Sequence, residues 1–320
     1  MIMYMIFEYM EHDLTGLFNS ATVKFNDAHI KCLMQQLFQG LEHLHDQNII
    51  HRDIKPANLL LNSKGELKLA DFGLSRRLQL IPMTLSVAEN YEYTNRVVTL
   101  WYRSPELLYG STFYRFEVDI WSAGCVMAEF FSYCAIFQGK SEIQQLETIF
   151  KIMGSPNANN WPNLKNLSWH GLITFKDVHP RKFEQNFADL GASFEAIQLM
   201  SSLLTYNPTS RPTCHQALRS SYFCDEQPPA CEKWQLPTID GDWHEFECKQ
   251  RRKKAHQPSA PAMDFSDSGQ TTDQATPNNQ YVMPSMIPSP YVSQPPIIHQ
   301  FEVPVEIPAI YVARILILAW

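Results

Sequence analysis

The chain has 320 residues, 45% of them apolar, so it can bury a sizeable core, and its length allows one or two domains. With 26 basic side chains against 33 acidic ones, the net charge of −7 excludes a global basic surface for nucleic acid or an anionic membrane. The 7 cysteines, an odd number with no CxxC pair, argue against a zinc or disulfide scaffold and for reduced thiols in a cytosolic or nuclear setting.

Residues 1–7 are apolar without alternation and lack the basic flank and cleavage site of a signal peptide. They read as a strand buried on both faces whose neighbours are not in this sequence. Over 27–46, Ile30, Leu33, Met34, Leu37, Leu41 and Leu44 recur at helical spacing behind an Asn26 or Asp27 cap. Residues 59–61 and 67–70 flank Asn62-Ser63-Lys64-Gly65, a turn composition, and predict a short hairpin. Further helices are predicted over 118–131, 141–153, 194–204 and 213–220. From about residue 257 to 303, dense Pro, Ser, Gln and Asn predict a disordered tail. The apolar end, 309–320, contains Arg314 and falls short of the roughly 20 residues that span a bilayer, so the pattern predicts a soluble protein.

The chemistry concentrates in His51-Arg52-Asp53-Ile54-Lys55-Pro56-Ala57-Asn58, followed after the hairpin by Asp71-Phe72-Gly73. Phosphoryl transfer needs a carboxylate near the incoming hydroxyl, a cation on the migrating phosphate, and oxygen ligands for Mg²⁺. Asp53, Lys55, Asn58 and Asp71 are the residue types that meet those needs. Either tripeptide alone is weak, but the two in this order, across a hairpin, form a specific signal.

These motifs resemble the protein kinases over roughly residues 1–223: a catalytic loop at 51–58, a magnesium-binding turn at 71–73, and the end of an activation segment at Ser104-Pro105-Glu106. The resemblance implies that Asp53 is the catalytic base, that Lys55 contacts the γ-phosphate of ATP, and that Asn58 and Asp71 hold Mg²⁺. It implies a structural pair between Glu106 and Arg211, and an Asp119 that accepts backbone hydrogen bonds from the catalytic loop. Phe7 to Leu14 is similar to the last small-lobe strand and hinge, with Phe7 as gatekeeper. Glu8 and Met10 then hold adenine through their backbone, Leu60 lies beneath it, and Asp13 sits near the ribose.

Tyr93 to Arg103 resembles the activation loop of cyclin-dependent serine/threonine kinases, which makes Thr94 a phosphosite gathered by Arg52 and Arg76. Val97, Val98 and Arg103 are then expected to line a pocket for the proline after the target residue, with Thr99 bridging Asp53 and Lys55. Residues 7–14, 61–68 and 243–247 resemble the transcriptional branch that phosphorylates the RNA polymerase II tail. Residues 153–156, 160–162 and the basic run 249–254 resemble its fungal carboxy-terminal-domain kinases. The partners implied are a cyclin and a Ser-Pro or Thr-Pro protein substrate, and the setting is nuclear.

The expected fold is mainly α with short β-hairpins, a kinase-like C-terminal lobe plus hinge strand with the N-terminal lobe absent. The divisions are 1–14 (last small-lobe strand and hinge), 15–224 (large lobe), 225–256 (extension with the basic run) and 257–320 (disordered tail). Two departures from the family stand out. No Gly-rich loop, strand lysine or helix glutamate precedes the hinge, and the stretch between Arg77 and Tyr93, with Leu80-Ile81-Pro82-Met83, is longer than usual. They leave two readings: a kinase that needs those missing parts and is inactive as this chain alone, or a truncated noncatalytic binding module. The intact Asp53, Lys55, Asn58 and Asp71 favour the first.

Overall fold

The computed structural model describes residues 6–20, 22–78, 92–246 and 248. A two-residue strand β1 (His12–Asp13) runs directly into the short helix α1 (Leu14–Phe18). Asp13 starts that helix, its carboxylate accepting from the Gly16 N–H at 2.8 Å. The main helix of the amino-terminal half, α2 (Asp27–Asp46), begins at Asn26 in a reciprocal cap. The Asn26 side chain accepts from the His29 N–H, and the His29 ring accepts from the Asn26 N–H. Every apolar residue predicted for its inner face is buried.

Strand β2 (Ile49–Ile50) precedes the hairpin of β3 (Leu59–Leu61) and β4 (Leu67–Leu69), and β5 (Arg76–Arg77) returns to pair with β2. β3 lies between β1 and β4, with Leu60 opposite both Asp13 and Lys68. The carboxy-terminal helices are α3 (Pro105–Leu108), α4 (Glu117–Ser132), α5 (Glu142–Met153), α6 (Phe183–Asp189), α7 (Phe194–Leu203), α8 (Cys214–Leu218) and α9 (Ser221–Cys224). Helix α4 is buried continuously from Val118 to Phe130, as a helix apolar on nearly every side must be. Gly124 lets α7 pack against it, since a Cβ there meets the Leu203 Cβ at 2.9 Å. Among the described residues no helix is long and apolar enough to cross a membrane.

One expected element is corrected. Residues 1–5 lie outside the described residues, while Ile6 and Phe7 are not in a strand and Ile6 is 95% exposed. An extended segment becomes a strand only when its backbone groups find a paired neighbour, and no described strand lies alongside this one. The stretch 80–83, the basic run 249–254 and the tail beyond 257 also lie outside the described residues.

The extension after α9 folds back over the rest. Lys31 of α2, fully buried, donates to the carbonyls of Glu226 (3.1 Å) and Pro228 (2.8 Å) and lies 4.7 Å from the centre of the Tyr222 ring. Further on, Trp243 bridges to His12, the Glu245 N–H donates to Asp13 at 2.9 Å, and the Tyr9 hydroxyl donates to Asp242 at 2.7 Å. This contact requires glycine at position 16, where an added Cβ falls 2.1 Å from the Trp243 carbonyl oxygen.

Candidate active site

The loop at 51–58 is held in place from below by Asp119 in the first turn of α4. This carboxylate, 1% exposed, accepts from the N–H groups of His51 and Arg52, each at 2.9 Å, and lies 3.0 Å from His45 Nε2. Burial pushes its pKa up, but the His45 ring and these hydrogen bonds outweigh burial and hold it below the ordinary carboxylate value. The two N–H bonds also fix Arg52 at φ +67°, a left-handed conformation that a side chain with a Cβ adopts only when its surroundings impose it.

Asp53 is the centre of the site. Its Oδ2 accepts from Lys55 Nζ at 2.7 Å and from Asn58 Nδ2 at 3.0 Å, and its Oδ1 accepts from the Thr99 hydroxyl at 3.0 Å and the Thr99 N–H at 3.2 Å. Lys55 Nζ also donates to the Thr99 hydroxyl at 3.1 Å, so Thr99 bridges the Asp53 carboxylate and the Lys55 ammonium. Burial raises the Asp53 pKa, but Lys55 and Thr99 together outweigh it and keep the carboxyl below its ordinary value.

Asn58 spends its amide hydrogens on the Asp53 carbonyl (2.8 Å) and carboxylate, which leaves its Oδ1 as an acceptor atom. Its own carbonyl accepts from the Ala70 N–H at 2.9 Å, bringing it beside Asp71. Asp71 is half-buried at φ +64° and caps the next turn through Gly73. An amide oxygen and a carboxylate at adjoining positions form a donor set suited to Mg²⁺. His51 steadies this turn: its ring lies 5.0 Å from Phe72 and its Nε2 is 3.1 Å from the Ala70 carbonyl. Burial lowers the His51 pKa, so the ring is neutral, and facing a carbonyl its Nε2 carries the proton.

Met10, Leu60 and Ala70 form a small buried apolar cluster with Phe7 packed against it, separate from the main core. Glu8 is ion-paired with Lys68 of β4. Asp13 does not match its expected place near a ribose. It is fully buried, and its two oxygens accept from the N–H groups of Gly16 and Glu245, so helix capping and anchoring of the extension occupy it.

Val97 and Val98 are buried, and Val98 stands at φ +66°. Arg103 donates from Nε to the Val97 carbonyl (2.8 Å) and from Nη2 to the Val98 carbonyl (3.0 Å), while its Nη1 pairs with Glu142 at 2.8 Å. Glu106 and Arg211 form two parallel bonds of 2.7 Å, with Arg211 5.0 Å from the Trp121 ring centre. The expected phosphosite cluster is only partly assembled. The Thr94 side chain is exposed, Arg52 is engaged with Leu74 and Tyr114, and Arg76 donates to the Ser75 carbonyl.

Sequence reasoning missed a further carboxylate beside the site. A cavity of about 530 Å³ opens beside Lys55 and Thr99, lined by Phe18, Trp101 and Tyr133 and by Glu129 of α4. Glu129 is 8% exposed and accepts from the Tyr102 hydroxyl at 2.7 Å. Burial lifts its pKa to about 7, against the pull of that hydrogen bond. Only a buried acid inside an otherwise apolar helical run marked it in the sequence.

A family model for the protein kinase domain matches residues 2–223. Among curated proteins, the chain is 45% identical over 251 residues to the CTD kinase subunit alpha of Schizosaccharomyces pombe, covering 78% of this chain and 41% of that protein. It is 42% identical to the subunit of the same name from Saccharomyces cerevisiae, covering 78% and 46%. The chain therefore spans less than half the length of these relatives. Among solved structures, the yeast RNA Pol II CTD kinase CTDK-1 complex matches at TM-score 0.66 and 41% identity, over 71% of this chain and 72% of that one. The CAK complex from Chaetomium thermophilum bound to ATP-gamma-S matches at TM-score 0.65 and 34% identity, covering 72% and 70%.

Proposed function

The chain belongs to the protein kinase family, among the cyclin-dependent serine/threonine kinases, and on that premise we propose that it contributes the catalytic half of a kinase that moves the γ-phosphoryl of ATP to Ser-Pro or Thr-Pro sites. The carrying observation is the convergence of Lys55, Asn58 and Thr99 on the Asp53 carboxylate at 2.7–3.0 Å. Asp53, ionised at neutral pH, orients an incoming hydroxyl and takes its proton, and Lys55 places a positive charge where the migrating phosphoryl passes. Asn58 and Asp71 would hold Mg²⁺, which when bound would supply positive charge to the phosphate oxygens. Support for ATP comes from the apolar floor of Phe7, Met10 and Leu60 and from the related complex carrying ATP-gamma-S.

The proline preference has its own physical argument. Arg103 occupies the carbonyls of Val97 and Val98, so an acceptor for the N–H of the next substrate residue is lost, and proline is the residue with no N–H to satisfy. Similarity to an RNA Pol II CTD kinase supports the polymerase tail as substrate, and similarity to cyclin-dependent kinases supports a cyclin as partner; a nuclear setting is part of the same proposal. Phosphate transfer in this family also uses a Gly-rich loop and a strand lysine that precede the hinge, so the reading is tested on the full-length protein. Phosphate transfer by the full-length protein with its cyclin tests the reading. Heptad peptides with Ser-Pro should be labelled and Ser-Ala counterparts should not, and equal labelling of both would contradict it.

A further inference from the structure

Arg52 is 3% exposed, and its guanidinium bonds are made to neutral groups. Nε donates to the Leu74 carbonyl at 2.7 Å, and Nη1 donates to the Tyr114 hydroxyl at 2.9 Å. That hydroxyl passes its own hydrogen to the carbonyl of Thr94 at 2.7 Å. One O–H and a free lone pair serve both bonds without competition. Tyr114 is 7% exposed, and its ring lies 5.5 Å from that of Tyr93, whose N–H donates to the Thr112 carbonyl at 2.8 Å. The backbone at 93–94 is thus pinned at two adjacent points. Five residues further on, Thr99 makes its two bonds to Asp53.

We propose that Tyr114 is a positioning residue that ties Arg52 of the catalytic loop to the backbone of Thr94, holding the 97–99 segment against Asp53 before Thr94 carries a phosphate. The inference rests on the reading of Thr94 as the phosphosite. A phosphate on that exposed side chain adds nearly two negative charges and three acceptor oxygens beside the same arginine. It adds from the side chain a second, stronger attachment at the point that Tyr114 holds through the backbone, so phosphorylation activates the parent and also compensates for loss of the tether. Burial raises the Tyr114 pKa while the nearby Arg52 pulls it down, and the raised balance keeps the phenol protonated as the tether requires.

Tyr114→Phe in the full-length kinase with its cyclin tests this, with each form prepared both dephosphorylated and phosphorylated on Thr94. Losing a hydrogen bond to a charged donor should raise the peptide KM of the dephosphorylated form about tenfold, with kcat changing less and the ATP KM unchanged. Phosphorylation should restore the variant to within about twofold of the parent. In a Thr94→Ala background the penalty should persist after treatment with the activating kinase. An equal loss in both phosphorylation states, or no change in the dephosphorylated one, overturns the tether. If phosphate fails to activate the parent, the phosphosite reading falls, and the dephosphorylated KM still decides on Tyr114. Should the variant misfold, amide exchange on the dephosphorylated parent decides: protection over 95–99 is expected, and rapid exchange there overturns the proposal.

Discussion

Glu129→Gln isolates the cost of burying an acid beside the active site. The carboxyl is 8% exposed, and its hydroxyl partner Tyr102 is itself driven to higher pKa by burial and by Glu129. Glu129 titrates at about 7 in the folded chain against an ordinary 4.5. Because the folded value is the higher one, the native state holds its proton over that window while the unfolded chain has lost it, so stability falls as pH rises from about 4.5 to about 7. The gap corresponds to about 3 kcal/mol of destabilisation above pH 7, absent below about pH 4.5. Glutamine keeps an oxygen for Tyr102 and removes the charge. Denaturant unfolding followed by tryptophan fluorescence should show the variant about 3 kcal/mol more stable than the parent at pH 8 and less than about 1 kcal/mol more stable at pH 5. A variant destabilised equally at both pH values would mean that Glu129 is charged and well paired in the native state, and the reasoning would fail.

Two other substitutions probe separate parts of the account. Glu106→Ala leaves Arg211 buried without its carboxylate and should cost about 3–5 kcal/mol in the same unfolding assay, whereas a loss below about 1 kcal/mol would show that the pair is dispensable. Arg103→Lys cannot hold the Val97 and Val98 carbonyls and Glu142 in one planar fork. It should lower the kcat/KM ratio of Ser-Pro over Ser-Ala peptides at least about tenfold, and an unchanged ratio would remove Arg103 from proline selection.

The legibility of the fold followed the range of the forces involved. Helices α2 and α5 announced themselves through apolar spacing, and α2 also through its Asn26 cap, while the structure shows Ser141 capping α5 instead of lying within it. The β3–β4 hairpin was equally visible, because Asn62 to Gly65 closes it within a few residues. Helices α1 and α3, at five and four residues, are too short to establish a period, and β1 and β2 exist only through distant partners. Nothing within helix α2 marks Lys31 as buried, because the carbonyls that receive it come from residues 226–228. Asp13 shows the same limit at the site, since the extension that claims one of its oxygens is 232 residues away. The Asp53 cluster was readable in part because Lys55 and Asn58 are close in sequence. Arg52's bond to Tyr114 spans 62 residues and was not.

Phosphate transfer by the full-length kinase carrying Asp53→Asn, with its cyclin, tests the central claim most directly. Asparagine keeps the shape of the side chain and loses the proton acceptor. The account predicts a fall in kcat of at least about 100-fold with ATP affinity within about twofold of the parent, and a variant that keeps its kcat would contradict it.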